Sequence, residues 1–253
     1  MEEDSPAAAG FPAAAADSAE AGPPAAGSGK DQVMKKLASK FLSEPEKQAI
    51  EACVQEVEKH TSGEIVPMVV SSSYHYPMSD MIGALVFALL ISVGVTLAYS
   101  IQKAWGGITA MDLWLFPAVF AVSFLLFHEL VKRIPGLKRI FITKAEIAEE
   151  VEEAALTSFY RNGLSETRDR TGILIFISVF ERKALVLADE GINAKVDKGV
   201  WQEVVDLVID SIKARQQAEG ICRAVRRCGE LIRENFPVKS DDTDELGNLI
   251  VED

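Results

Sequence analysis

The chain has 253 residues, 26 Lys and Arg against 38 Asp and Glu, a formal net charge of −12 at pH 7 and a pI near 4.8. That balance excludes a nucleic-acid partner, which needs a basic footprint, and the length leaves room for one compact domain beside any membrane segment. Cys53, Cys222 and Cys228 show neither CxxC nor zinc-ligand spacing, an odd and unpatterned set that suits a reducing compartment.

Residues 1–30 are Ala, Pro, Gly and acidic, with Phe11 the only large apolar side chain. Such a segment cannot bury enough surface to offset its conformational entropy, so a disordered tail is expected. Its opening, Met-Glu-Glu-Asp, lacks the positive region of a secretory signal, and its acidity is the reverse of an organellar presequence. Ser43-Glu44-Pro45-Glu46 is a capping box with proline in the first turn, and it opens a helix to about Lys59. Ile50, Cys53, Val54 and Val57 share its apolar face, which makes Cys53 a core residue. After Thr61-Ser62-Gly63, the β-branched run Glu64–Ser72 predicts a strand, in which Pro67 marks an edge that is partly unpaired.

Next come two apolar runs. The first, 81–101, has no charged residue and as a helix would be roughly 30 Å long, the thickness of a bilayer's hydrocarbon core. The second, 111–131, is uncharged from Leu113 to His128 and tolerates Pro117, as membrane helices do. Together they predict a transmembrane hairpin over 81–131 closed by a short turn. His75 between Tyr74 and Tyr76, His128, Trp105 and Trp114 then fit interfacial belts better than metal sites.

Beyond the hairpin, Thr143-Lys144-Ala145-Glu146 is a second capping box. The helix it opens carries Ile147, Val151, Ala155 and Phe159 inward, exposes Glu149, Glu150, Glu152 and Glu153, and closes at Asn162-Gly163. Gly172–Val179 is an unbroken apolar run, as in a strand buried on both faces. Phe180–Lys183 predicts a turn and Ala184–Ala188 a third strand. A helical region from Val200 to about Asn235 follows, with Trp201, Val204, Val205, Val208, Ile209 and Ile212 on one face and Gly220 as the expected break. From Lys239 onward the residues predict a solvated acidic tail, 239–253.

The stretch Gly163–Ile192, with its RTG–strand–ERK–strand–ADEGI succession, and the earlier SGEIVPMVV resemble the TPM domain family. The family is named for a thylakoid lumen protein, a photosystem repair protein and a receptor modulator, and the likeness is to its bacterial branch with two membrane helices inserted in the domain. It implies a three-layer α/β/α sandwich built discontinuously from 41–73 and 138–237. It also implies an inner-membrane protein serving as a binding or assembly module, with a weak, metal-assisted phosphomonoester hydrolase as the alternative. Calcium is the divalent cation that some members bind. Where relatives carry an Asp-Asp-Arg-like turn, this chain has Phe180-Glu181-Arg182, one acid fewer, and Asp197 sits near the Asp that precedes their final helix.

No Gly-rich phosphate loop, HExxH motif or nucleophile elbow is present. The strands at 64–72 and 172–179 should pair in parallel, which puts Ser71, Ser72, Glu181 and Arg182 together at the carboxyl ends where open α/β sheets bind ligands. That edge is expected to face the bilayer and to read a lipid headgroup, a cation held near it, or a partner membrane protein's juxtamembrane segment. The competing reading makes Glu181 and Arg182 a solvated turn. Asp189, Glu190 and Asp197 form a second candidate cluster about 17–20 Å from the first, at 3.3 Å per residue along the hairpin. There Arg168-Asp169-Arg170 is expected to pair with Asp189.

Lys132, Arg133, Lys138, Arg139 and Lys144 crowd the exit of the second apolar run, whereas the loop between the runs has only Lys103. The positive-inside rule puts that exit, both termini and the α/β domain in the cytoplasm. Reporter fusions at Asp253 and within 102–112 check this. A reporter that works only in the cytoplasm should be active at Asp253 and silent in the loop, and the opposite pattern overturns the assignment.

Overall fold

The computed structural model describes residues 37–103, 110–197, 199–238 and 246–253. Residues 1–30 and Trp105 lie outside the described residues. The chain divides into two compact units, 1–73 with 149–253 and 74–148.

The first unit is a mixed α/β domain. After a short helix α1 (Leu37–Phe41), the predicted capping box opens α2 (Glu44–Glu58), where the Ser43 N–H and Oγ both donate to Glu46 at 2.8 and 2.6 Å. Strand β1 (Glu64–Val70) follows, two residues shorter than predicted. Past the second unit lie the remaining elements: β2 (Gly172–Ser178), β3 (Lys183–Ala188), a short α7 (Glu190–Asn193), α8 (Val200–Lys213), α9 (Gln217–Arg233) and β4 (Ile250–Glu252). The sheet order is β3-β2-β1-β4. β1 and β2 are parallel from Glu64↔Gly172 to Val70↔Ser178, and β3 runs antiparallel to β2.

Every residue of β1 and β2 is buried, which is why their sequences read as continuous apolar runs instead of alternating. Ile65, Val69, Ile173, Ile175 and Ile177 join Val54 of α2, Val204 and Val208 of α8, and Ile221 and Val225 of α9 in one core.

Two expectations need correction. The break in the last helical region is at Arg215 (φ +59°), not Gly220, which lies inside α9. A Cβ at Gly220 would stand 2.2 Å from the Ser211 Cβ, so this glycine serves the close packing of α9 on α8. Nor is all of 239–253 a solvated tail. Residues 250–252 form β4, paired in parallel with Met68–Val70. They cover β1 only beyond Pro67, whose missing N–H cannot extend the ladder.

The second unit holds α3 (Pro77–Lys103), α4 (Ala110–Arg133) and α5 (Pro135–Ile140), and α6 (Lys144–Arg161) runs from it into the first. As predicted, Thr143 Oγ1 accepts the Glu146 N–H at the start of α6, and Gly163, at φ +75°, ends it. The apolar helices Pro77–Lys103 and Leu113–Arg133 are long and apolar enough to cross a membrane. Their apolar windows are only 22% and 6% buried, unlike the core helices of soluble proteins. Within the pair, Ala84, Ala88 and Ser92 form a fully buried small-residue stripe at i, i+4 spacing on α3, and Phe87 stacks on Phe127 at 4.9 Å.

One member of the basic cluster is not exposed. Lys138 is 4% exposed; its Nζ lies 3.2 Å from Asp80 Oδ2 and donates to the His75 carbonyl. Removing one partner leaves a buried charge uncompensated, at a cost of about 3–5 kcal/mol. Asp80→Ala should therefore lower the unfolding free energy by about that much, while Asp80→Asn combined with Lys138→Met recovers most of it. Denaturation in detergent measures both. Equal stability of the single and double variants would contradict this account.

Candidate functional site

The parallel register fixes what meets at the carboxyl edge of the sheet. Beyond the strands the pairing continues, as Val179 N–H donates to Val70 O and Phe180 N–H to Ser71 O, both at 3.0 Å. The chain then turns, bringing Glu181 back over the ends of both strands. Its Oε1 accepts Ser72 Oγ at 3.1 Å and the Ser73 N–H at 3.0 Å, and its Oε2 accepts from Ser178 Oγ. Glu181 is 1% exposed, so the solvated-turn reading is wrong for it. Ser73 and Ser178 were missed from the sequence; the signal was a serine ending the apolar run of β2.

Arg182 behaves oppositely. It is exposed, its backbone is left-handed at φ +52°, and among the described residues no hydrogen bond or ion pair holds its guanidinium. A non-glycine residue in that region carries strain of about 1 kcal/mol or more. Arg182 lines a cleft of about 490 Å³ together with Lys183 and Lys213, over apolar walls that include Phe41, Val179, Ile209 and Ile212.

Ser71, the other residue expected here, is buried and already occupied. Its Oγ accepts the Ala38 N–H and donates to Asp253 Oδ1, both at 2.8 Å. The Asp253 carboxylate also takes the Ser39 N–H at 3.0 Å and the Ser39 hydroxyl. The edge therefore divides. Ser71 ties α1 to the last strand, Ser72 and Glu181 close the ends of β1 and β2, and Arg182 alone of the four faces outward.

The second cluster lies at the other end of the β2–β3 hairpin, where Asp189 N–H donates to Gly172 O at 2.9 Å. Asp189 caps α7, its Oδ1 accepting the Glu190 N–H at 2.7 Å, and Arg170 Nε stands 3.9 Å from its Oδ2. Glu190 is exposed, and Asp197 accepts the Gly199 N–H. Among the described residues no three His, Cys, Asp or Glu side chains converge as a metal site. His128 instead stacks on Phe124 at 5.9 Å in an aromatic row along α4, and Trp114 is exposed.

A mixed α/β domain interrupted in sequence by two apolar helices is the class these features define. Within that class, residues 138–231 match the TPM domain family model. The match takes in the hairpin with Glu181 and Arg182 and leaves β1 outside. In fold the chain is similar to the NMR structure of the BA42 protein from the psychrophilic bacterium Bizionia argentinensis. The TM-score is 0.50 at 19% identity, over 84% of this chain and 96% of that one. Comparison with curated proteins finds no match.

Removing the Glu181 carboxylate takes the acceptor from one buried donor, Ser178, and from two part-buried ones at Ser72 and Ser73. Glu181→Ala should cost about 3 kcal/mol. Glu181→Gln should cost about 1 kcal/mol, because the amide oxygen still accepts and serine hydroxyls can turn to receive from the amide. Thermal unfolding of both variants reads the difference, and an unchanged midpoint for Glu181→Ala would show that the closure is not structural.

Proposed function

We propose that this is an integral membrane protein whose TPM domain is a binding or assembly module, reading anionic groups at the bilayer surface through the carboxyl edge of its sheet. The observation that carries the reading is the division of labour at the turn. Glu181, whose carboxylate lies over the strand ends, is buried and engaged by serine and backbone donors. What remains outward is a cation on a strained backbone beside an apolar cleft with two more lysines. Strain retained at an exposed arginine points to use of the side chain, since glycine would hold the same turn without cost.

Chain connectivity supports the placement. Along the chain, Ser73 is four residues from Pro77, the first residue of α3. Burial of every position of β1 and β2 supports the three-layer α/β/α arrangement. A metal-assisted hydrolase would need a convergent metal-ligand set, and among the described residues no three His, Cys, Asp or Glu side chains form one.

The test uses the full chain in nanodiscs. Hydrogen exchange of 179–184 should slow in anionic discs relative to zwitterionic ones, and Arg182→Ala should abolish the difference while leaving the thermal midpoint nearly unchanged. Arg182→Gly should also lose the protection but raise stability by about 0.5–1 kcal/mol. Equal exchange in both lipids, with no membrane partner whose co-purification depends on Arg182, would sink the binding reading. Turnover of a phosphomonoester that collapses in Glu181→Gln would favour the hydrolase.

A further inference from the structure

Helices α2 and α9 pack unusually closely. Gly229 faces Val57 so tightly that a Cβ there would stand 2.2 Å from the Val57 Cγ1. The same packing brings together two thiols from opposite ends of the chain. Cys53 Sγ donates to the Cys222 carbonyl at 3.5 Å and Cys222 Sγ donates to the Ala49 carbonyl at 3.8 Å, so each thiol reaches across to the backbone of the other helix. Cys53 also lines an open pocket of about 270 Å³, room enough for a small oxidant, along with Arg226, Arg233, His60, Glu56 and Glu230. Cys228, on the same helix, is 0% exposed and outside that pocket.

We propose that Cys53 and Cys222 form a redox modification site, in which Cys53 is oxidised by a hydroperoxide entering this pocket and Cys222 resolves the product as a disulfide joining α2 to α9. In the first step the Cys53 thiolate attacks one peroxide oxygen. An S–O bond forms, the O–O bond breaks, and the alkoxide or hydroxide leaves to be protonated. Cys53 has then lost two electrons as the sulfenic acid. In the second step Cys222 gives up its proton and attacks the Cys53 sulfur, so the S–S bond forms, the S–O bond breaks and water departs. The sum is two thiols and one hydroperoxide giving one disulfide, one alcohol or water, and one water.

The surroundings suit these roles. The neighbouring Cys222 thiol, opposed by burial and reinforced by Arg226, holds the Cys53 thiol below its ordinary value, which favours the thiolate. The neighbouring Cys53 and burial push Cys222 up, as fits a resolving thiol that stays protonated. Burial alone pushes Cys228 up to about 12. Disulfides in reducing compartments are mostly transient and redox-sensing, which accords with the proposed cytoplasmic placement of this domain but does not depend on it.

The test treats the full-length protein in detergent with hydrogen peroxide, followed by non-reducing digestion and mass spectrometry. The expected product is a Cys53–Cys222 peptide pair lighter by two hydrogens, with Cys228 unmodified. In Cys222→Ala, a dimedone adduct should accumulate at Cys53. Iodoacetamide labelling of Cys53 in wild type should be at least tenfold faster than that of Cys228 at pH 7 and should level off above about pH 8. Because the wild-type arms need no substitution, a poorly folded variant does not blunt the test. No cross-link in the folded protein, cross-links that involve Cys228 equally, or equal labelling of Cys53 and Cys228 would overturn the proposal.

Discussion

The parallel ladder between Glu64–Val70 and Gly172–Ser178 is the constraint on which the rest of this molecule depends. A parallel pair cannot be closed by a tight turn; it requires a long crossover. Here the crossover contains the two apolar helices as well as α6, so the apolar helices and the α/β domain are parts of one connection. The core side chains of β1 and β2 meet only through this long-range pairing. That makes the apolar continuity of both strands, buried at every position, a requirement of the topology.

The same ladder explains why Glu181 is buried. Two parallel strands end side by side with their next polar groups aimed in one direction, and a carboxylate placed over them satisfies Ser72, Ser73 and Ser178 at once. Buried donors without acceptors are costly, whereas charge-assisted hydrogen bonds are among the stronger ones available. The edge that general rules for α/β sheets mark as a ligand site is thus partly consumed by its own closure. What stays outward lies one residue further on, at Arg182 and the cleft beside it.

Buried charge follows the same logic in the second unit. Lys138 belongs by sequence to a basic cluster at the end of an apolar helix, yet it reaches Asp80 and the His75 carbonyl and leaves solvent. A lysine can do so only because its long stem lets the ammonium travel to a fixed carboxylate. The thiols of Cys53 and Cys222 show how close packing of two helices can turn core residues into a reactive pair, with no motif in the sequence to announce it.

The sequence by itself determined the elements whose signals are local. Apolar runs without charge marked the two long helices, the boxes at Ser43–Glu46 and Thr143–Glu146 marked helix starts, and the continuous run Gly172–Val179 marked a central strand. These readings hold because capping, periodicity and desolvation act within a few residues. The pairing of β1 with β2 was also legible, since two buried strands separated by a helix leave few other topologies. Only the tertiary structure decided which polar groups are spent inside the fold. Ser71 looks like Ser72, and Glu181 looks like any turn acid, until Asp253 and Ala38 claim the one and the strand ends claim the other. β4 hides in an acidic tail and Gly220 imitates a helix break, because the partners that give them their roles, Met68–Val70 and Ser211, come from distant sequence. Burial and hydrogen-bond satisfaction are properties of the assembled neighbours, and no single stretch of chain contains them.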